Sequence, residues 1–199
     1  MEKSKSGIWI TGASSGIGWA VAKEFSSVGC NVFASARRVN ELEKLADEIG
    51  NAQVGVYPCN VASQANVNQT FKKISADYKI DCLVNNAGVK KNGGGTIINI
   101  LSFAIEKTFI NSSAYTASKM GLLGYSRVLR EEVRDYNIRV MNIVPGATET
   151  PMWAREIREK EGSRMMNAES IARIMVSSFL HKDNVVTEEI VVRPIGGDI

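Results

Sequence analysis

Residues 7–18 read Gly7-Ile8-Trp9-Ile10-Thr11-Gly12-Ala13-Ser14-Ser15-Gly16-Ile17-Gly18, and this stretch decides the fold class. A strand-like apolar run leads into a loop carrying Gly12, Gly16 and Gly18, and a helical pattern continues through Val21, Ala22 and Phe25. A turn of this kind needs glycine where the backbone bends sharply, where it approaches a pyrophosphate, and where the helix packs close on the strand. The amides at the helix N-terminus, backed by the positive end of the helix dipole, then face the phosphates. Gly12, Ser14, Ser15, Gly16, Ile17 and Gly18 are therefore the candidate cradle of a dinucleotide. A glycine-rich run can also be a tight structural turn, and its placement between strand and helix is what favours binding.

Outward from this loop, strand-like runs recur at residues 31–35, 53–57, 81–85, 96–100, 139–144 and 189–193, with helical periodicity between them. With residues 7–11 they make seven strands in repeated β-α units, which predicts an α/β protein: a doubly wound Rossmann fold, its seven-stranded parallel sheet covered by helices on both faces. Asn40 with Glu43 reads as a capping box, and Asn167 as the cap of a helix with the stripe Ile171, Ile174, Met175. No repeat or linker divides the chain, so residues 1–199 are expected to form a single domain.

Composition sets the outer bounds. A chain of 199 residues with 44% hydrophobic and 23% charged residues can bury a full layered core without disulfides or metals. A net charge of +3 is too small to argue for nucleic acid or an anionic membrane. Cys30, Cys59 and Cys82 are far apart, which suits reduced thiols in the cytoplasm better than a disulfide framework. The first residues are short and polar rather than an apolar signal, and no apolar run reaches membrane-spanning length. The single histidine, His181, cannot build a His-based zinc site and reads as a surface residue near a helix end, so no metal is expected.

The second strand ends in Ser35-Ala36-Arg37-Arg38. An acidic residue there would bind a ribose 2'-hydroxyl, whereas two guanidinium groups offer a charge-matched donor set for a 2'-phosphate. NADP(H) is the preferred cofactor on this ground and NAD(H) remains possible; the competing reading makes both arginines solvated helix-start residues.

Tyr115 and Lys119 stand one helical turn apart, so their side chains share a face. A phenol titrates near 10 in isolation, and proton transfer through it at neutral pH requires a neighbour that stabilises the phenolate, which an ammonium does. Taken alone, the pair could equally be a helix-surface pair.

Several motifs now stand in one order: Thr11-Gly12-x-x-x-Gly16-x-Gly18, Asn85-Asn86-Ala87-Gly88, Ser102, Tyr115-x-x-x-Lys119, and Pro145-Gly146 followed by Thr148 and Thr150. In this the chain resembles, over nearly its whole length, the compact single-domain branch of the short-chain dehydrogenases/reductases. The resemblance implies that Tyr115 is the general acid or base on the substrate oxygen, that Ser102 hydrogen-bonds the same oxygen, and that Lys119 also holds the nicotinamide ribose. It implies that Pro145, Gly146, Thr148 and Thr150 lie at the nicotinamide carboxamide, and Asn60 and Val61 near the adenine. Asn86, Ala87 and Gly88 would back the adenosine, and the assembly would be a homodimer or homotetramer.

The chain departs from the family's pattern in places. Asn60 replaces a common aspartate, and Leu101 a common serine. The larger departure is that only six residues, 90–95, join Val89 to the strand beginning at Thr96. A parallel crossover needs about a dozen residues or more. In the family this gap holds a long helix with an asparagine of the catalytic tetrad and much of the subunit interface. The expectation is a segment missing from the sequence between Val89 and Lys90.

Residues 151–166 follow the Pro145-Gly146 turn, where the family places its substrate lid; their spacing equally suits an amphipathic helix lying on the body. Met152 and Trp153 are the candidate pocket wall, joined by Ser102. The expected function is an NADP(H)-dependent oxidoreductase acting on a small carbonyl or alcohol. The alternative is a cofactor-binding regulatory or scaffold relative with little turnover, and sugar-nucleotide epimerase chemistry is disfavoured for want of room for a substrate domain.

Overall fold

The computed structural model describes residues 6–50, 53–84, 95–181, 185–197 and 199. Seven strands, β1 (Ser6–Thr11), β2 (Asn31–Ser35), β3 (Val54–Val56), β4 (Lys79–Val84), β5 (Gly95–Ile100), β6 (Ile138–Pro145) and β7 (Glu189–Val192), alternate with six α-helices. These are α1 (Gly16–Ser27), α2 (Val39–Ile49), α3 (Gln64–Asp77), α4 (Ser113–Val133), α5 (Arg155–Glu161) and α6 (Ala168–Leu180). The strands form one sheet in the order β3-β2-β1-β4-β5-β6-β7, parallel throughout. The doubly wound fold expected from the repeated β-α units is the one observed.

The order reverses between β1 and β4. The chain winds from β1 out to β3 and then returns to the far side of β1, which leaves a crevice at the carboxyl ends of the strands. Alternating side chains divide the core between the two faces. On one face Ile8, Ile10, Val32, Ala34, Ile98, Met141 and Ile143 pack against Phe25 of α1, Leu42 and Leu45 of α2, and Ile171 and Met175 of α6 in a continuous cluster. The other face holds two separate, smaller clusters: Trp9, Phe33 and Leu83 with Ile74 of α3, and Ile97, Ile138 and Val140 with Leu129 and Val133 of α4. β4 contributes Leu83 to the first and β5 contributes Ile97 to the second, and the two strands pair from Cys82↔Thr96 to Val84↔Ile98. The Val89–Lys90 junction and Asn85, Asn86, Ala87 and Gly88 lie outside the described residues.

Two expectations at element ends need correction. The capping box at Asn40 does not form, because α2 starts earlier, with Arg38 at its N-cap and no side-chain cap bond, so that Asn40 is already inside the first turn. The stretch 151–166 is not one long helix: it holds the short α5 and a 3-10 turn, with Met165 buried and Ile157 exposed. Asn167 does cap α6, its side chain accepting from the Ser170 amide at 2.8 Å. Ser63, which the sequence reading passed over, caps α3 in the same way.

Candidate active site

The glycine loop takes the conformation its residues suggest. Gly12 and Gly16 have φ of 68° and 59°, a left-handed backbone costly for any residue with a Cβ. A Cβ on Gly18 would lie 2.4 Å from the Gly12 carbonyl oxygen, so α1 approaches its own entry loop as closely as glycine allows. A Cβ on Gly12 would meet nothing within 4 Å, so the loop faces open space there. Ile17 packs down onto the core from the first turn of α1.

Arg38 lies over this loop. Its Nη2 donates to the Ser15 hydroxyl at 2.8 Å and the Ser14 hydroxyl at 3.0 Å, and Nε reaches Ser14 Oγ at 3.3 Å. Residues on two successive β-α connections thus make one cationic, hydroxyl-lined corner at the ends of β1 and β2, with Arg37 exposed beside it. Asn60 and Val61, beyond β3, are exposed on the same end of the sheet; the Asn60 side-chain oxygen accepts from the Ala62 amide at 3.1 Å, while its backbone amide donates to Asn66 Oδ1.

The residues expected to react come from the end of β5 and the start of α4. Beyond β5, Ser102 caps a 3-10 turn (Phe103–Ile105), its Oγ accepting from the Ala104 amide at 3.2 Å. Lys119, in the second turn of α4, donates from Nζ to the Ile100 carbonyl oxygen at 2.9 Å, two residues before Ser102. The same Nζ lies 5.8 Å from the centre of the Tyr115 ring, so the two side chains do share a face. Tyr115 stays 38% exposed. Burial of Lys119 pushes its ammonium below the ordinary lysine value, because water that would solvate the charge is excluded. Ser112, before α4, bonds locally, its hydroxyl donating to the Phe109 carbonyl and sitting 3.2 Å from the Thr116 hydroxyl.

The turn after β6 closes the crevice. The Gly146 amide donates to the Val192 carbonyl at 2.7 Å, tying the Pro145-Gly146 turn to β7. Thr148 is buried and its hydroxyl donates to the Gly146 carbonyl at 3.0 Å, within its own loop. Thr150 bends back to the glycine loop: a Cβ on Gly16 would lie 3.2 Å from the Thr150 methyl. The loops after β1 and β6 therefore meet. Trp153 is half-buried, its indole N–H donating to the Thr148 carbonyl at 2.9 Å, whereas Met152 is 77% exposed. Trp153 is thus pinned to the turn, and Met152 is not.

Two contacts were not legible in the sequence. The Asn99 side chain donates to Asn142 Oδ1 at 3.1 Å inside the sheet, joining β5 and β6 just below the site. Arg193, which the strand pattern assigned to β7, leaves the strand after Val192 and stacks on Phe103 at 4.2 Å. A second cleft, of about 860 Å³, opens at the opposite ends of β4, β5 and β6 beside Asp81, Thr96, Arg130, Arg139 and Phe179. There Arg130 pairs with Glu188 and the Val140 carbonyl, and Arg139 donates to Thr96 and the carbonyls of Phe179 and His181.

Known proteins share this fold. A family model described as short chain dehydrogenase matches residues 7–94 and 89–161. The sepiapterin reductase of Chlorobaculum tepidum is 31% identical over 236 aligned positions, which cover 96% of each chain. The L-sorbose reductase from Gluconobacter frateurii, solved in complex with NADPH and L-sorbose, superposes with a TM-score of 0.81 at 25% identity, covering 98% of both chains. A metagenomic short-chain oxidoreductase in complex with NADP gives 0.77 at 28% identity, covering 96% of this chain and 99% of that one.

Proposed function

Because this chain belongs to the short-chain dehydrogenase family, we propose that it is an NADP(H)-dependent oxidoreductase that moves a hydride between the nicotinamide and a small carbonyl or alcohol substrate. One observation carries the reading: Lys119 is anchored to the Ile100 carbonyl beside the Ser102 turn and lies against the Tyr115 ring, which joins a helix-borne acid/base pair to a strand-end hydroxyl. In reduction Tyr115 gives its proton to the substrate oxygen, and in oxidation it takes one back. Ser102 donates a hydrogen bond to that oxygen, and the Lys119 ammonium favours the phenolate left on Tyr115 while holding the ribose hydroxyls. The nicotinamide, when bound, supplies or accepts the hydride.

The remaining residues bind and orient. Amides of the Gly12 to Gly18 turn, with Ser14, Ser15 and Ile17, hold the pyrophosphate, and Arg38 with Arg37 holds the 2'-phosphate; the Arg38 corner on Ser14 and Ser15 and the NADPH and NADP of the two solved relatives support NADP(H) over NAD(H). Asn60 and Val61 serve the adenine, and Asn86, Ala87 and Gly88 back the adenosine. Pro145, Gly146, Thr148 and Thr150 flank the carboxamide, and Met152 and Trp153 wall the substrate. The test is NADPH oxidation by purified protein over a panel of ketones and diketones. Tyr115→Phe lowers kcat about 100-fold or more while NADPH affinity stays unchanged. Tight NADPH binding without oxidation of any ketone would instead support the regulatory relative.

The same reading includes a segment missing from the sequence between Val89 and Lys90. Two observations support it: the two stretches of the family match that meet at residues 89–94, and an alignment of 236 positions against a chain of 199 residues. A homodimer or homotetramer belongs to it as well, supported by the exposed Met120, Tyr125 and Val128 of α4. Among the described residues no helix is long and apolar enough to cross a membrane. A cytoplasmic setting is favoured by cysteines that form no disulfide among the described residues, with burial pushing the Cys82 thiol far up and keeping it unreactive.

A further inference from the structure

The large apolar side chains that stand furthest into solvent among the described residues are Ile195, Ile110 and Met152, at 108%, 91% and 77% exposure. Each sits at the corner of a reverse turn closed by a backbone hydrogen bond. The Ser112 amide donates to the Phe109 carbonyl at 3.3 Å, the Trp153 amide to the Thr150 carbonyl at 3.1 Å, and the Gly197 amide to the Pro194 carbonyl at 3.0 Å. These turns follow β5, β6 and β7, which are neighbours in the sheet and open at their carboxyl ends on the candidate site. Each turn is also tied to that site. Ile110 stands in the connection between Ser102 and Tyr115, and Met152 stands between Thr150, which touches the glycine loop, and the pinned Trp153. Ile195 follows Pro194, whose Cδ lies 3.2 Å from a Cβ placed on Gly146.

Turn chemistry explains one corner of each turn and not the other. Corners are ordinarily taken by Gly, Pro, Asn, Asp or Ser. Asn111, with φ of 64°, Pro151 and Gly196 meet that rule. Ile110, Met152 and Ile195 break it, and an aliphatic side chain left in water forgoes the gain that burial would bring. Single exposed apolar residues are ordinary, but three on adjoining strand ends make a rim that a ligand can cover. The body that must reach this rim, if the site works as proposed, is its own substrate. Closed turns present the three side chains with little loop left to order on binding. Resting on the carbonyl-reductase reading, we propose that Ile110, Met152 and Ile195 are specificity-determining residues that hold an apolar chain of the substrate. The preferred substrates are then ketones or aldehydes with a hydrocarbon chain of several carbons rather than compact polar carbonyls.

The test is the 2-alkanone series from 2-butanone to 2-decanone with NADPH. In the wild type kcat/KM climbs about two- to fourfold per methylene over the longer members. The double variant Ile110→Ser/Ile195→Ser lowers the value for 2-decanone about tenfold or more, while the shortest ketone turned over stays within about twofold. Calorimetric binding of the same ketones to the NADPH-loaded protein reads the same slope without turnover. Binding that strengthens with chain length and loses that trend in the double variant, in a protein that oxidises NADPH with no carbonyl, upholds this inference and ends the reductase reading. Indifference to chain length, in turnover or, where there is none, in binding, overturns the inference, as does a loss in the double variant that is equal for all members; turnover of any ketone leaves the reductase reading intact. A fall in sedimentation mass of the double variant, or loss of its binding to neutral phosphatidylcholine vesicles, with the chain-length slope unchanged, overturns it too and assigns the rim to a second copy or to a lipid surface.

Discussion

Lys119 sits where burial works against its own charge. Its ammonium is pushed below the ordinary value of 10.5, so the folded protein binds that proton less tightly than the unfolded chain does. The penalty is fully present at pH values below the lowered folded pKa, and it is relieved as pH rises through that value toward 10.5. Wild-type Tm should therefore gain on that of Lys119→Met between about pH 7 and about pH 10, while the variant loses turnover at every pH. A Tm difference that stays constant over this range would show that the charge carries no folding penalty. Arg38 offers a test of cofactor choice at the same scale. Replacing its donors on the Ser14 and Ser15 corner, as in Arg38→Gln, should weaken NADPH about 10-fold or more and leave NADH nearly unchanged, measured as dissociation constants.

Among the elements, α1 and α4 do opposite things. α1 buries Ala20, Val21, Ala22 and Phe25 and is packed against its entry loop through Gly18. A methyl there would press on the Gly12 carbonyl and the Ala13 backbone, none of which is a flexible side chain. Gly18→Ala should lower Tm by several degrees, corresponding to about 1–3 kcal/mol of overpacking, and weaken NADPH binding because the amides no longer point together. Thermal unfolding with and without NADPH separates the two effects. α4 buries only Ser126, Leu129, Arg130 and Val133, all in its second half. Its first half carries Tyr115 and Lys119 on a face left open to ligand. These two helices also show what patterning can and cannot disclose. The glycine loop, the Tyr115–Lys119 spacing and the Asn167 cap were readable because each is a local rule over a few residues. The Asn40 cap failed because helix α2 starts earlier, at Val39 beside the Arg38 that reaches back to the glycine loop, a tertiary tie that outweighs a local side-chain bond.

For the molecule as a whole, the two faces of the sheet are unequal. Three helices share one continuous core on one side, while α3 and α4 sit over separate clusters on the other. A helix between them would join the two clusters into one layer and cover β4 and β5. If a segment belongs between Val89 and Lys90, the intact mass of the natural protein exceeds the 21.7 kDa of these 199 residues, and a tryptic peptide spanning Val89-Lys90-Lys91 is absent from its digest. Recovery of that contiguous peptide would refute the omission. Seven parallel strands, the glycine turn and the shared face of Tyr115 and Lys119 were determined by the sequence alone, since periodicity, glycine placement and helical spacing act between near neighbours. The tertiary structure alone decided that Arg38 rests on the loop serines, that Thr150 closes against Gly16, and that Arg193 stacks beside Ser102. Each of these contacts joins strand ends far apart in the chain, and it is the winding of the sheet, not any local pattern, that brings those ends together.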